Sequence, residues 1–131
     1  MIKVQTKLNV IDNSGAKLAK CIKILGKGKK KTASVGSLVF VTLSKFVYRK
    51  RVVKRTIYLG LITGIKYWTT RLEGTHIKFF SNRILIFNKQ YKFLGTRIYG
   101  AIGKEIKTKT FREKNNKKFF QKVIAYSPLV I

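Results

Sequence analysis

Few side chains in this sequence have the types that catalysis requires. The acids are Asp12, Glu73, Glu105 and Glu113. A two-metal nuclease gathers several carboxylates around its cations, and here only Glu105 and Glu113 are near neighbours, within the basic stretch GKEIKTKTFREKNN, where they read as compensating charges. One cysteine, Cys21, excludes an internal disulfide, and with one histidine, His76, it leaves no Cys/His set for zinc. The stretch GKGKKKT at 26–32 has the glycines and lysines of a phosphate loop but lacks the four-residue spacer before Gly-Lys-Ser/Thr that such a loop needs. The expectation is no catalytic residue, no metal and no cofactor.

The abundant chemistry is cationic. The chain has 30 Lys and Arg against 4 Asp and Glu in 131 residues, a formal net charge of +26. That charge repels itself in a compact fold, and a dense polyanion relieves it, so nucleic acid is the expected partner. Apolar residues make up 45% of the chain, enough for one domain with a packed core. No window approaches the roughly 18 consecutive apolar residues of a membrane span, and the start MIKVQTKLNV has no apolar signal core. A soluble or assembly-bound protein is expected, with no membrane partner. Two basic runs stand out: GKGKKKTASVG at 26–36, carrying Lys29, Lys30 and Lys31, and YRKRVVKR at 48–55, carrying Arg49 and Arg51. Acids that would neutralise either run are missing nearby.

The elements that must carry these cations have mostly period two. Residues 18–25, LAKCIKIL, alternate apolar and Lys positions, as a strand with one buried face does. Apolar, β-branched runs at 38–43, 57–65, 77–80 and 84–87 bring the count to about five strands, punctuated by glycines. The pattern predicts a mainly β fold, a small five-stranded β-barrel, over residues 1–103. From 104 to 131 the character changes: Phe119, Phe120, Val123 and Ile124 fall at helical spacing and Pro128 should stop the helix. A short helical C-terminal segment packed on the barrel is expected within a single domain, the alternative being one more strand at 119–124. In DNSG, Asp12 and Asn13 are expected to accept backbone N–H groups two residues on, and Ser14 and Gly15 to complete a tight turn between two strands, with Gly15 at positive φ. The lone aspartate is read as structural.

The segments LNVIDNSGAKLAKCIKILG, LEGTHIKF, GTRIYGAIGKEIK and VIAYSPLVI closely resemble the universal large-subunit ribosomal protein fourteen family. The resemblance runs the length of the chain. It implies a five-stranded barrel with a small helical C-terminal part and no enzymatic activity. It also implies a structural constituent of the large ribosomal subunit. The implied partners are large-subunit ribosomal RNA, neighbouring large-subunit ribosomal proteins, small-subunit RNA across an intersubunit bridge, and a ribosome-silencing factor. The sequence departs from the family pattern in VYRKRVVKRTI, in YWTTR ahead of LEGTHIKF, and in an insertion around REKNNKKFFQ.

Ribosomal RNA binding rests on phosphate neutralisation by Lys and Arg, with glycine loops allowing close backbone approach. The expected contacts are Lys17, Lys29, Lys30, Lys31, Arg49, Arg51, Lys66, Arg71 and Arg97. Arg97 leads them, because in GTRIYG a planar guanidinium sits between two glycines. A competing function is a free single-strand RNA-binding barrel resembling an initiation factor, stacking bases on Tyr48, Tyr67, Trp68 and Tyr99. Phe40, Phe80 and Phe87 lie within apolar runs and are assigned to the core. Heavy use of Lys, Ile, Phe, Tyr and Asn beside a single proline matches AT-rich coding. With no presequence ahead of the family's own start, this points to a mitochondrial ribosome and an organelle-encoded chain, with a plastid or an AT-rich bacterium as alternatives.

Overall fold

The structure, a computed structural model, describes residues 1–26, 28, 32–47, 51–53, 55–112 and 117–131, without the side chains of 109–112. Five strands close a barrel: β1 (Lys7–Val10), β2 (Ala16–Ile24), β3 (Leu38–Phe46), β4 (Tyr58–Gly64) and β7 (Arg83–Phe87). Their order is β1-β2-β3-β4-β7, antiparallel except where β7 meets β1 in parallel and seals the cylinder. Closure pairs both edges of each of these five strands, so the barrel itself offers no open strand edge.

Alternation interrupted by register shifts explains how β2 sits. Ala16 and Ala19, on either side of the shifts at Leu18, both turn inward, as does Cys21, while Lys17 faces solvent. Ile22 then points outward by alternation, 39% exposed, and Lys23 is exposed as well across the register shift between Cys21 and Lys23. Strand β4, by contrast, is buried at every position from Tyr58 to Gly64, since both of its faces are covered. Leu8, Val39, Val41, Leu61, Ile84 and Ile86 are among the fully buried residues of one continuous core, to which Ile106, Phe119, Phe120 and Val123 of the tail also belong.

Two parts of the strand expectation are corrected. Residues 77–80 are no barrel strand: only Ile77 pairs, in a two-residue hairpin of β5 (Thr69–Thr70) with β6 (His76–Ile77). Neighbouring residues of extended chain face opposite ways, so Phe79 is buried, its N–H on the Ile65 carbonyl at 3.1 Å, while Phe80 is 92% exposed and not in the core. Phe87 does lie in the core and Phe40 packs half-buried against it. The fifth barrel strand is β1, a four-residue element whose outward Lys7 and Asn9 leave it little hydrophobic signature.

After β8 (Ala101–Ile102) the chain forms α1 (Glu105–Arg112) and α2 (Lys117–Tyr126), then returns as β9 (Leu129–Val130) beside β8. The alternative of a strand at 119–124 is thereby overturned. Helix α2 buries Phe119, Phe120 and Val123, three and four residues apart on one face. Phe119 meets Phe87 of the barrel edge-on at 4.4 Å between centroids. Ser127 ends the helix, its N–H on the Val123 carbonyl at 3.1 Å and its hydroxyl on the Ile124 carbonyl at 2.7 Å, and Pro128 follows where no further helical turn is possible. Among the described residues no helix is long and apolar enough to cross a membrane.

Candidate nucleic-acid interface

The candidate interface is organised by the lone aspartate. Asp12 is 6% exposed. Its Oδ1 accepts the Ser14 N–H at 3.0 Å and the Ser14 hydroxyl, and its Oδ2 accepts the Ile86 N–H of β7 at 3.2 Å. One carboxylate thus closes its own turn and ties that turn to a strand 74 residues away. Gly15 follows at φ 103°, a conformation that suits glycine. Burial pushes the Asp12 carboxyl above the ordinary aspartate range, against the opposing pull of the hydrogen bonds from Ser14 and Ile86.

Asn13 behaves differently from the sequence expectation. Its Oδ1 accepts from the backbone N–H of Thr96 at 2.6 Å and of Arg97 at 3.1 Å, and its Nδ2 donates to Thr96 Oγ1 at 2.7 Å. It therefore clamps a loop more than eighty residues onward rather than its own turn. Gly95 makes the approach possible, since a Cβ there would lie 2.7 Å from Asn13 Oδ1. The Tyr99 N–H on the Ile11 carbonyl at 2.7 Å secures the other end of the loop.

This clamp fixes the backbone that presents Arg97, whose side chain is exposed. Arg51 belongs to the same loop, because its Nη1 donates to the Leu94 carbonyl at 3.0 Å. Lys17 projects from the start of β2, at the register irregularity between the Ala16–Phe46 and Leu18–Lys45 pairs, and the Val47 N–H on the Gly15 carbonyl at 2.8 Å holds this corner of the barrel to the Asp12 turn. Lys17, Arg51 and Arg97 are thus linked to one end of the barrel through the Asp12–Gly15 turn. Lys66 stands elsewhere, exposed beyond β4, with its N–H on Asn82 Oδ1 at 2.8 Å.

Arg71 is held inside the molecule. Its Nε donates to Glu105 Oε1 at 2.7 Å and its Nη2 to the Ile131 carbonyl at 2.7 Å, so the β5–β6 hairpin is clasped to the start of α1 and to the last residue. The same hairpin holds Lys104 through Glu73, whose carboxyl is pulled below its ordinary value first by the Lys104 hydrogen bond. Lys29, Lys30, Lys31 and Arg49 lie outside the described residues. The sequence reading also passed over Arg83, which lies over the Phe79 ring at 5.6 Å and donates to the Ala101 carbonyl at 3.4 Å. Only its position at the head of an apolar run hinted that it was internal.

A pattern emerges in the acids. Asp12 is buried in its turn, Glu73 is bonded to Lys104 and Glu105 to Arg71. None of these three is left to neutralise the exposed cations of the barrel, and Glu113 lies outside the described residues. Among the described residues no group of three His, Cys, Asp or Glu could hold a metal ion.

Among the described residues, a small closed barrel whose acids are bonded within the chain and whose exposed side chains are rich in Lys and Arg defines a strongly basic β-barrel protein. A family model described as Ribosomal protein L14p/L23e matches residues 1–130, and the chain belongs to that family. It is accordingly a structural protein of the large ribosomal subunit, acting in translation, and not an enzyme.

Proposed function

We propose that this chain binds large-subunit ribosomal RNA through the exposed cations Lys17, Arg51, Lys66 and Arg97, joined by Lys29, Lys30, Lys31 and Arg49 of the two basic runs. The observation that carries the reading is the fate of the acids: Asp12, Glu73 and Glu105 are all bonded within the chain, so the exposed Lys and Arg among the described residues are left largely without an acid beside them. Each phosphate neutralised releases counterions, which makes binding strongly salt-dependent. Arg71 enters this reading as a positioning residue that braces the hairpin next to the RNA.

The barrel, residues 1–103, carries the RNA contacts in this proposal, and residues 104–131 complete the core and offer surface to neighbouring large-subunit proteins. By its resemblance to the family, the chain lies on the interface side, takes part in a bridge to small-subunit RNA, and serves as a docking point for a ribosome-silencing factor. Its lysine-, isoleucine- and phenylalanine-rich composition with one proline supports a mitochondrial ribosome as its setting.

The test is a titration of the purified full chain with a large-subunit rRNA fragment across a salt series. The logarithm of the binding constant should fall with the logarithm of salt concentration by roughly 0.7 to 0.9 per phosphate contacted, several units in all. A flat response would remove the phosphate-based mechanism.

A further inference from the structure

The β5–β6 hairpin turns one row of side chains to solvent. Residues paired across two strands share a face, and so do residues two apart along one strand. Thr70 pairs with His76, and their Oγ1 and Nδ1 share a hydrogen bond of 3.0 Å. One step further along that row Trp68 meets Lys78, whose Nζ lies 5.7 Å from the centroid of the indole. This cation–π contact orients the ring while leaving Trp68 62% exposed. Phe80 follows two residues after Lys78 and is 92% exposed, because Phe79 between them takes the inward position. Arg71 braces the hairpin against Glu105 and Ile131, so the rings sit on an element that is already held in place.

The charge beside the indole is positive. Lys78 touches it and Lys66, two residues ahead of it, is exposed. Glu73, the acid of this hairpin, is engaged by Lys104 and by the Thr75 hydroxyl. The apolar anchors of protein partners draw their energy from enclosed, desolvated pockets, whereas Trp68 and Phe80 offer open rings along a strand. A peptide joins a hairpin through main-chain hydrogen bonds at its edge, and laid across this face it would leave those groups unpaired. An unpaired nucleotide needs neither pocket nor edge, since its base stacks on a ring and its phosphate meets a lysine. A base inside a duplex shows only its edges, so the occupant has to be single-stranded.

We infer that the outward face of the β5–β6 hairpin binds unpaired nucleotides of ribosomal RNA, with one base stacked on Trp68 and the adjoining phosphates held by Lys66 and Lys78. The inference rests on the RNA-binding reading above and adds a base contact to its phosphate contacts. Trp68 lies in YWTTR, where the sequence departs from the family pattern. The contact is therefore a property of this chain and not of the family's shared surface.

Trp68 is the only tryptophan of the chain, so its fluorescence reads the site without a label. The full chain is titrated with octauridylate and with an abasic ribose-phosphate octamer of the same charge. Octauridylate should bind about tenfold more tightly and quench Trp68 by stacking, while the abasic octamer should bind without quenching. With affinity followed by the anisotropy of end-labelled RNA, Trp68→Ala should bring octauridylate down to the abasic level and Trp68→Phe should keep most of the preference. Equal affinity of the unaltered chain for the two octamers, without quenching, would overturn the base site and leave phosphate binding standing. Failure to bind either octamer at low salt would overturn both readings. A preference that survives in Trp68→Ala would also overturn the base site. So would an acidic aromatic peptide, acetyl-Asp-Phe-Asp-amide, that quenches Trp68 at lower concentration than octauridylate, because the face would then belong to a protein partner.

Discussion

Replacing Asp12 by alanine removes three acceptor contacts at once. The Ser14 N–H and the Ile86 N–H lose their partner, as does the Ser14 hydroxyl, and Ser14 and Ile86 are both 0% exposed. A buried donor left unsatisfied costs about 1–3 kcal/mol, so the two backbone groups together cost roughly 2–6 kcal/mol. Part of this is returned because the variant no longer buries a carboxylate, whose desolvation already raises the Asp12 pKa. The net loss is about 2 kcal/mol, which for a domain of this size lowers Tm by roughly 5–10 °C. Thermal unfolding of the purified full chain, followed by far-ultraviolet circular dichroism, reads it directly. At a temperature where both proteins are folded, affinity for an rRNA fragment should be unchanged within about twofold, since the carboxylate faces inward. An unchanged Tm combined with lost RNA binding would refute the structural assignment and make Asp12 a contact residue.

Other outcomes follow from the same geometry. Arg97→Ala should lower the salt slope of RNA binding by roughly 0.7 to 0.9 with no change in Tm, whereas Arg71→Ala should leave the slope alone and destabilise the fold by about 1 kcal/mol. That figure is kept small because the Arg71–Glu105 pair is partly solvated, with side chains 13% and 25% exposed; a reversed pattern in the two variants would refute the clasp. Phe120→Ala, at a fully buried position of α2, should cost about 3–5 kcal/mol, and a loss under 1 kcal/mol in urea unfolding would show that the tail is not part of the core. The pH dependence carries a definite sign: burial raises the folded Asp12 pKa above 3.8, so its contribution to stability is complete below that value and is lost as pH rises through the folded pKa. The stability difference between the wild-type chain and Asp12→Asn should therefore shift in favour of the wild type as pH falls through this window, and a shift in the other direction would contradict the assignment.

The barrel was legible because its buried strands have enough length and apolar content to show their period, as in LVFVTL and IYLGLITG. β1 was legible only through the turn that DNSG makes between two strands, because KLNV is four residues long and half of it faces outward, too short for a period to show. Phe80 was misplaced for a related reason: composition marks an apolar run, but two adjacent aromatics in extended chain cannot both face inward. In the candidate site, the Asp12 turn could be read locally, since its Ser14 bond spans two residues. The partner of Asn13 is 83 residues away and that of Arg71 is 34 residues away, distances that carry no trace in local pattern. In sequence, Arg71 and Arg97 are both arginines following a threonine, and only the fold separates a clasped guanidinium from an exposed one.

Density-gradient sedimentation tests the central claim most directly: the tagged chain, expressed in its own compartment, is followed through a gradient that resolves free protein, small subunits and large subunits. The account predicts co-migration with intact large subunits, and release to the top of the gradient after ribonuclease digestion, because rRNA phosphates hold the cationic barrel in place. A chain found at the top of the gradient beside intact large subunits, or one that keeps its fast-sedimenting position after the RNA is digested, would contradict it.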